Sequence, residues 1–571
     1  MKYRLIMIVS LIGALVSGCD SAKNSASADT IYVDGDILTM EGDTPTYAEA
    51  VAVKDGEILF VGDRQTAFTY RTEATDVINL EGKTFMPGFI DSHGHIYGVG
   101  LQTISARLLS PPDGTVTTVA DILTIMQAYI DDPVNQELIT KTGWIIGFGY
   151  DDSLLDFYPT AKDLDKLDTD YPVMIIHTSL HLSVLNSKGL EVAGFTAETE
   201  NPQGGIIRRK AGTNEPNGVL EEMPFIVTIF GIMNSFDENI QAAMIKGGQD
   251  LYASYGFTTA QEARASTAGL QALERASKDG KLVMDVVAYA DFQRAKDSLS
   301  TSYYGQTYTN RYRIGGVKLG FDGSPQGKTA WLTHAYHVAP DGQPADYAGY
   351  GSYPDAKAFA LIDEAFEKDW QVLVHANGDA AIDQMITGIA LATEKYGPKD
   401  RRPVLIHGQT LRQDQIGKLA ELDIFPSLFP IHTFYWGDWH EQSVLGQPRA
   451  DFISPAKAVL EAGLKFTSHH DAPVVLPNAM RILSATVTRR TRSGKVLGPD
   501  QSVSTYIALK SITDWAAYQL FEEADKGTLA VGKKADFVIL DQNPLKVDPD
   551  SLMEIKVLQT ISAGKVIYEK P

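Results

Sequence analysis

Two histidines separated by one glycine, His93-Gly94-His95, are the first residues of this chain whose types and spacing can do chemistry together. Side chains two apart on a strand share a face, so both imidazoles can converge on one metal ion. Alone, the pair would fit two turn histidines equally well. Further on, His375 ends the run Gln371-Val372-Leu373-Val374-His375, and His407 ends Val404-Leu405-Ile406-His407. Asp471 follows Leu464-Lys465-Phe466-Thr467-Ser468. A strand–helix–strand unit occupies about 30 residues, so His375 and His407 cap adjacent strands, with Asp471 two units beyond. Any one of these fits a satisfied buried polar group. Several strands ending in imidazole or carboxylate are not explained by packing. Imidazole nitrogens with a carboxylate are typical ligands of Zn²⁺, and one or two such ions activate water at neutral pH. Asp471 would then accept a proton from the water and hand it to a leaving amine. Lys318, in Gly315-Gly316-Val317-Lys318-Leu319-Gly320-Phe321-Asp322, is ambiguous. A free lysine, with a pKa of about 10.4, repels divalent metal; a carbamate formed with carbon dioxide is anionic and can bridge two ions. From chemistry alone, pairing with Asp322 or another carboxylate is the simpler reading.

Placing these groups requires parallel strands. Apolar β-type runs near Phe89–Ser92, Phe257–Gln261, Met284–Ala290, Gly315–Gly320, Gln371–His375, Val404–His407, Ile424–Leu428 and Leu464–Ser468 alternate with helical patterns. Eight such units predict an α/β fold, a (β/α)₈ barrel of the TIM type, within residues 86–524. The gap at residues 103–244 is polar, turn-rich and too long for one crossover helix, so it reads as an inserted subdomain over the barrel mouth. Short strands broken by Asp34-Gly35 and Asp55-Gly56 turns occupy residues 30–85, and similar strands occupy residues 525–571. Together they predict a composite β-sandwich built from both termini. His432, after the seventh strand, falls where a loop can meet substrate; His177, His334, His337 and His440 read as surface or structural histidines. Trp144, Tyr150 and Trp331 fit core packing better than an aromatic wall around a ligand.

The start of the chain reads as a leader. Lys2 and Arg4 precede the apolar run Leu5 to Val16, which is shorter than the about 20 residues a transmembrane helix needs. Val16-Ser17-Gly18-Cys19 looks like a lipobox, which makes residues 1–19 the signal and Cys19 the acylated first residue of the mature protein. Cys19 is the single cysteine, so no disulfide competes for it. Residues 20–29 are small and polar, as suits a tether, and Asp20 resembles an inner-membrane retention signal. The reading is a cell-envelope protein anchored to a membrane and facing the periplasm or exterior. The formal net charge of −22 argues against a nucleic-acid partner; a small-molecule substrate is the expected partner, with oligomeric state left open.

The motifs together resemble the amidohydrolase superfamily, in its amidohydrolase 3 group, which includes N-substituted formamide deformylase-like proteins. The resemblance rests on Met86-Pro87-Gly88-Phe89-Ile90-Asp91, His181-Leu182-Ser183-Val184-Leu185-Asn186-Ser187, Lys318 with Asp322-Gly323-Ser324, Asp471-Ala472-Pro473-Val474, and Gly532-Lys533-Lys534-Ala535-Asp536-Phe537-Val538-Ile539-Leu540. It implies a metal-dependent hydrolase cleaving a non-peptide carbon–nitrogen bond, with His93, His95, Lys318, His375, His407 and Asp471 as ligands of one or two ions. It also implies that Lys318 is carboxylated, and that His181 reaches the site to bind substrate or steady an oxyanion. One departure stands out: His469 and His470 precede Asp471, where the family usually places a small residue. His470 either lines the pocket or packs. The same scaffold serves esterases, lactonases and deaminases, and a tethered binding protein without catalysis is the rival from another class.

Overall fold

The computed structural model describes residues 27–340 and 342–571. Cys19 and the leader before it lie outside the described residues. At the centre is an eight-stranded sheet whose spatial order follows the chain. Its strands are Phe89–Ile90, Phe257–Ala265, Asp285–Asp291, Tyr312–Gly320, Gln371–Ala376, Val404–His407, Phe425–Leu428 and Thr467–Ser468. Each falls within or beside one of the eight runs read from the sequence. Every neighbouring pair is parallel. The fifth and sixth strands are buried at every position, because a parallel sheet covered on both faces needs continuous rather than alternating apolar residues. Helices such as Asp355–Glu367 and Asp379–Tyr396 supply the cover and pack on each other.

The sheet curls until its two ends meet. Just beyond the strands, Asp471 N donates to His93 O at 3.1 Å and His95 N donates to Ala472 O at 2.7 Å. Those bonds set the first and eighth strand ends side by side.

Both chain ends build one further eight-stranded sheet, in which Phe537–Leu540 runs antiparallel to Thr84–Pro87. Its strands alternate, sending Tyr32, Val51 and Val53 into one apolar cluster and Ile31, Val33, Ala50 and Ala52 into another. Tyr32, Phe85 and Phe537 pack in tilted and edge-on pairs with centroids 4.5–5.8 Å apart, each contributing about 1.5–3 kcal/mol through burial. Only one of the two Asp-Gly pairs makes a turn. Asp55-Gly56 joins Tyr47–Lys54 to Glu57–Gly62 with both residues at positive φ, as a tight hairpin requires. Asp34-Gly35 instead lies inside the single strand Thr30–Leu38, where the register shifts. There Asp34 has φ 63°, and a Cβ on Gly35 would come within 2.6 Å of Lys83 O.

Between the first two central strands lies a six-stranded sheet, from Ala106–Arg107 to Pro216–Glu222. Its members Ile145–Tyr150, Val173–His177 and Leu182–Leu185 are fully buried strands, short enough to be hidden among polar turns in the sequence. Its last strand runs directly into the helix Met223–Asn234, which buries Phe225, Ile226, Ile229, Ile232 and Met233. A helix this apolar on several sides must be covered by more than one neighbour; here it roofs the mouth of the central sheet.

Candidate metal centre

The first strand delivers His93 and His95. Beneath them the Asp91 carboxylate accepts from His93 N and Gln261 N, each at 3.0 Å. Gly94 is demanded by space: a Cβ there would lie 2.3 Å from Tyr252 Oη and 2.6 Å from Asp91 Oδ2. His93 Nδ1 faces the Gln261 amide oxygen at 3.3 Å. An amide oxygen only accepts, so the proton sits on Nδ1 and the Nε2 lone pair is free. Asp471 Oδ1 lies 3.3 Å from His93 Nε2 and 3.2 Å from His95 Nε2. It is buried yet accepts no well-aligned hydrogen bond. Donor atoms of these three residues all lie within 4.8 Å of one another.

The fifth and sixth strands supply the other half. His375 Nε2 donates to Gly323 O at 3.1 Å, which leaves Nδ1 as a lone pair. That atom is 3.0 Å from His407 Nε2. His407 Nδ1 is 3.1 Å from His469 Nε2, and His469 Nδ1 is 3.0 Å from Ser427 Oγ. A hydroxyl both donates and accepts, so the chain runs in either direction; run as donors towards Ser427 it puts the His407 proton on Nδ1, the tautomer a metal at Nε2 requires. Two imidazole lone pairs, of His375 and His407, then face each other at the centre. Burial holds His93, His375, His407 and His469 well below the usual imidazole range. Burial also opposes a charge on His95, but the Asp471 and Glu262 carboxylates overcome it and raise that residue to about 9. Neutral imidazoles facing one another beside an unbonded carboxylate form a donor set that fits a divalent cation.

The fourth strand places the Lys318 Nζ 3.0 Å from His93 Nε2. Burial holds its amine well below the ordinary lysine value. Asp322 is not its partner: that carboxylate accepts from Trp331 N, Asn377 N and Gly378 N at 2.7–3.0 Å. Pairing with Asp322, the simpler sequence reading, is therefore not what the structure shows.

His181 reaches the site from the inserted sheet. Its Nδ1 donates to Glu222 Oε2 at 2.7 Å, and its ring stands 5.1 Å from that of His375. Glu222 sits at φ 55° at the start of the roofing helix, with Oε1 accepting from Thr329 Oγ1 at 2.7 Å. Ligands, Lys318 and His181 line one cavity of about 130 Å³, walled by Leu101, Phe148, Phe225, Ile229, Phe230 and Met233. Trp144, Tyr150 and Trp331 take no part in that wall.

The structure does not bring His432 to this cavity. Its ring packs on Phe429 and Trp436, and its Nδ1 is 2.9 Å from His440 Nε2. His470 packs as well: its Nδ1 accepts from Ala472 N at 2.8 Å, and Tyr252 and Phe257 flank its ring. His177 is fully buried between Asp152 and Ser179, whereas His334 and His337 are exposed. Sequence reasoning missed Glu222 and the second-strand trio Gln261, Glu262 and Arg264. The trio carried a usable signal, since a buried strand that ends in polar residues is what singled out His375 and His407.

A curled parallel sheet that aims four imidazoles and a carboxylate inward from the carboxyl ends of its strands defines a metal-binding α/β protein. The chain belongs to the Amidohydrolase family, whose model matches residues 76–568, and is a hydrolase of the amidohydrolase class. It is similar to the putative amidohydrolase YtcJ of Bacillus subtilis (strain 168), 28% identical over 560 residues, covering 95% of this chain and 99% of that one. The N-substituted formamide deformylase of Arthrobacter pascens is 23% identical over 556 residues, covering 95% and 98%. Among solved structures, an uncharacterized metal-dependent hydrolase from Pyrococcus horikoshii OT3 superposes with a TM-score of 0.72 at 24% identity, covering 91% of this chain and 99% of that one.

Proposed function

We propose that the chain hydrolyses a non-peptide carbon–nitrogen bond, of the amide type, in a small molecule. The observation that carries this is the unbonded Asp471 carboxylate within 3.3 Å of two imidazole nitrogens on the floor of an apolar cavity. The central sheet is read as a (β/α)₈ barrel, and the terminal sheet as its composite sandwich partner. His93, His95 and Asp471 would hold one zinc ion; His375 and His407 would hold a second. The Lys318 amine, buried and far below its ordinary basicity, would add carbon dioxide, lose a proton and offer its carbamate oxygens to both ions. A divalent ion bound here supplies Lewis acidity, lowering the pKa of water to about 7 and polarising a carbonyl oxygen. Asp471 takes the proton of the attacking water and returns it to the leaving nitrogen. His181, oriented by its bond to Glu222, would bind the substrate or steady the oxygen that gathers charge. The roofing helix keeps bulk water from the apolar wall. A lipid on Cys19 would hold the enzyme on the envelope membrane, the inner one by Asp20.

The test is metal content by elemental mass spectrometry after dialysis, on protein expressed without residues 1–19, followed by an amide panel with amine release as the readout. About two ions per chain with amine release is the expected result. Acid release from esters alone points to an esterase, and no metal even after reconstitution overturns the reading.

A further inference from the structure

The catalytic cavity contains one cation that the proposed reaction does not use. Arg264 is the next-to-last residue of the second strand, Phe257–Ala265, and lines the cavity together with the candidate ligands. Nε donates to Asp291 Oδ2 at 2.9 Å. Among the described residues, neither Nη1 nor Nη2 has a protein acceptor. The fork lies across Gly320, where a Cβ would sit 3.4 Å from Nη1 and 3.6 Å from Nη2. Gly320 is two residues past Lys318 and pairs in register with His375. The open edge of Arg264 is therefore one strand position from the ligand shell.

Among the described residues Asp291 is the only acid hydrogen-bonded to Arg264, since the nearby Glu222 carboxylate is taken up by His181 and Thr329. Asp291 is buried and also serves Arg294, whose Nη1 is 3.2 Å away, while capping the following turn through Gln293 N and Arg294 N. One carboxylate is shared by two guanidiniums. The Arg264 side chain keeps 22% of its surface exposed, so its two idle donors open towards the cavity and can meet an anion as a charge-assisted pair. Arg264 also lines an adjoining cleft of about 440 Å³ that carries Lys357 and Tyr353, so it stands where the two spaces meet.

Resting on the hydrolase reading above, we propose that Arg264 anchors a carboxylate of the substrate, which makes the substrate an amide that carries a carboxylate on an apolar body. Two parallel N–H donors match the planar carboxylate edge. The apolar body would occupy the wall formed by Phe225, Ile229, Phe230 and Met233.

Calorimetric titration of zinc-reconstituted protein with hydrocinnamate, and with its neutral counterpart hydrocinnamyl alcohol, tests the proposal. The wild type should prefer the acid by about tenfold or more, as expected for a charge-assisted pair. R264Q should lose that preference while binding the alcohol as before, with an unchanged melting curve. R264K, which keeps the charge but not the fork, should retain part of the preference; it also carries the test if R264Q does not fold. An acid preference that persists in the variants places the carboxylate on the metal and overturns the proposal, as does a wild type without preference. Failure of the hydrolase reading is separately visible, as an Arg264-dependent preference in a metal-loaded protein that turns over no amide.

Discussion

Replacing His469 by leucine should weaken metal binding without touching a ligand. In the structure His407 Nδ1 lies 3.1 Å from His469 Nε2, and the chain of contacts ends on Ser427 Oγ. With a metal at His407 Nε2, 3.0 Å from His375 Nδ1, the proton must sit on Nδ1 and His469 Nε2 is its acceptor. His469 is 1% exposed, so water does not replace it when leucine fills the space. With its acceptor gone, His407 has two choices. It keeps the proton on Nδ1 as a buried orphan donor, at about 1–3 kcal/mol, or it moves the proton to Nε2 and blocks its own ligand atom. Either route lowers zinc affinity by about tenfold to a hundredfold, the range typical of lost outer-shell partners. Competitive titration against a chromophoric chelator reads the affinity directly, and a melting curve confirms that H469L is folded. H469Q, whose amide oxygen can accept from Nδ1, should fall between the two. An H469L affinity within about twofold of wild type would show that His407 is oriented by its own packing, and would refute the argument.

Four other outcomes follow from the same geometry. Asp471→Asn should keep most of its metal and lose turnover by about a hundredfold or more, read as metal content against amine release. Glu222→Gln, which removes the charge held 2.7 Å from His181 Nδ1, should lower kcat more than it raises KM. Phe230→Ala should raise KM by about tenfold for substrates with an aromatic tail and leave those with a methyl tail unchanged. Stability should fall on acidification, because the Lys526 and Lys534 ammonium groups overcome burial and hold Asp285 well below the usual carboxylate range. A depressed carboxylate stabilises the fold fully above its unfolded pKa of about 3.9 and loses that contribution as pH drops towards its folded value. The urea midpoint should therefore decline below about pH 4, and Asp285→Asn should be less stable at neutral pH with a flatter acid limb.

The candidate metal ligands were legible where burial made polarity conspicuous. His375 and His407 each follow three apolar residues, Val372-Leu373-Val374 and Val404-Leu405-Ile406, and a parallel strand covered on both faces best tolerates an imidazole near its end. Glu222 had no such signature. It comes from an inserted strand 41 residues past its partner His181, and it points at the site because its backbone is left-handed there. No periodicity in one chain reports such a turn, and local propensity argues against it. The Asp34-Gly35 pair failed for the opposite reason: the residues favour a turn, but the Lys83 carbonyl and Leu80 side chain crowding Gly35 make it a bulge. His469 and His470 were not separable by alternation, because the strand ends at Ser468 and Asp471 opens a turn at φ 54°. The structure sets the His469 ring 5.1 Å from those of His93 and His407, while His470 turns away towards Tyr252 and Phe257. That placement puts His469 beside the candidate metal centre and His470 in the packed interior, and it makes His469 the residue in which a change of one side chain most cleanly separates orienting a ligand from being one.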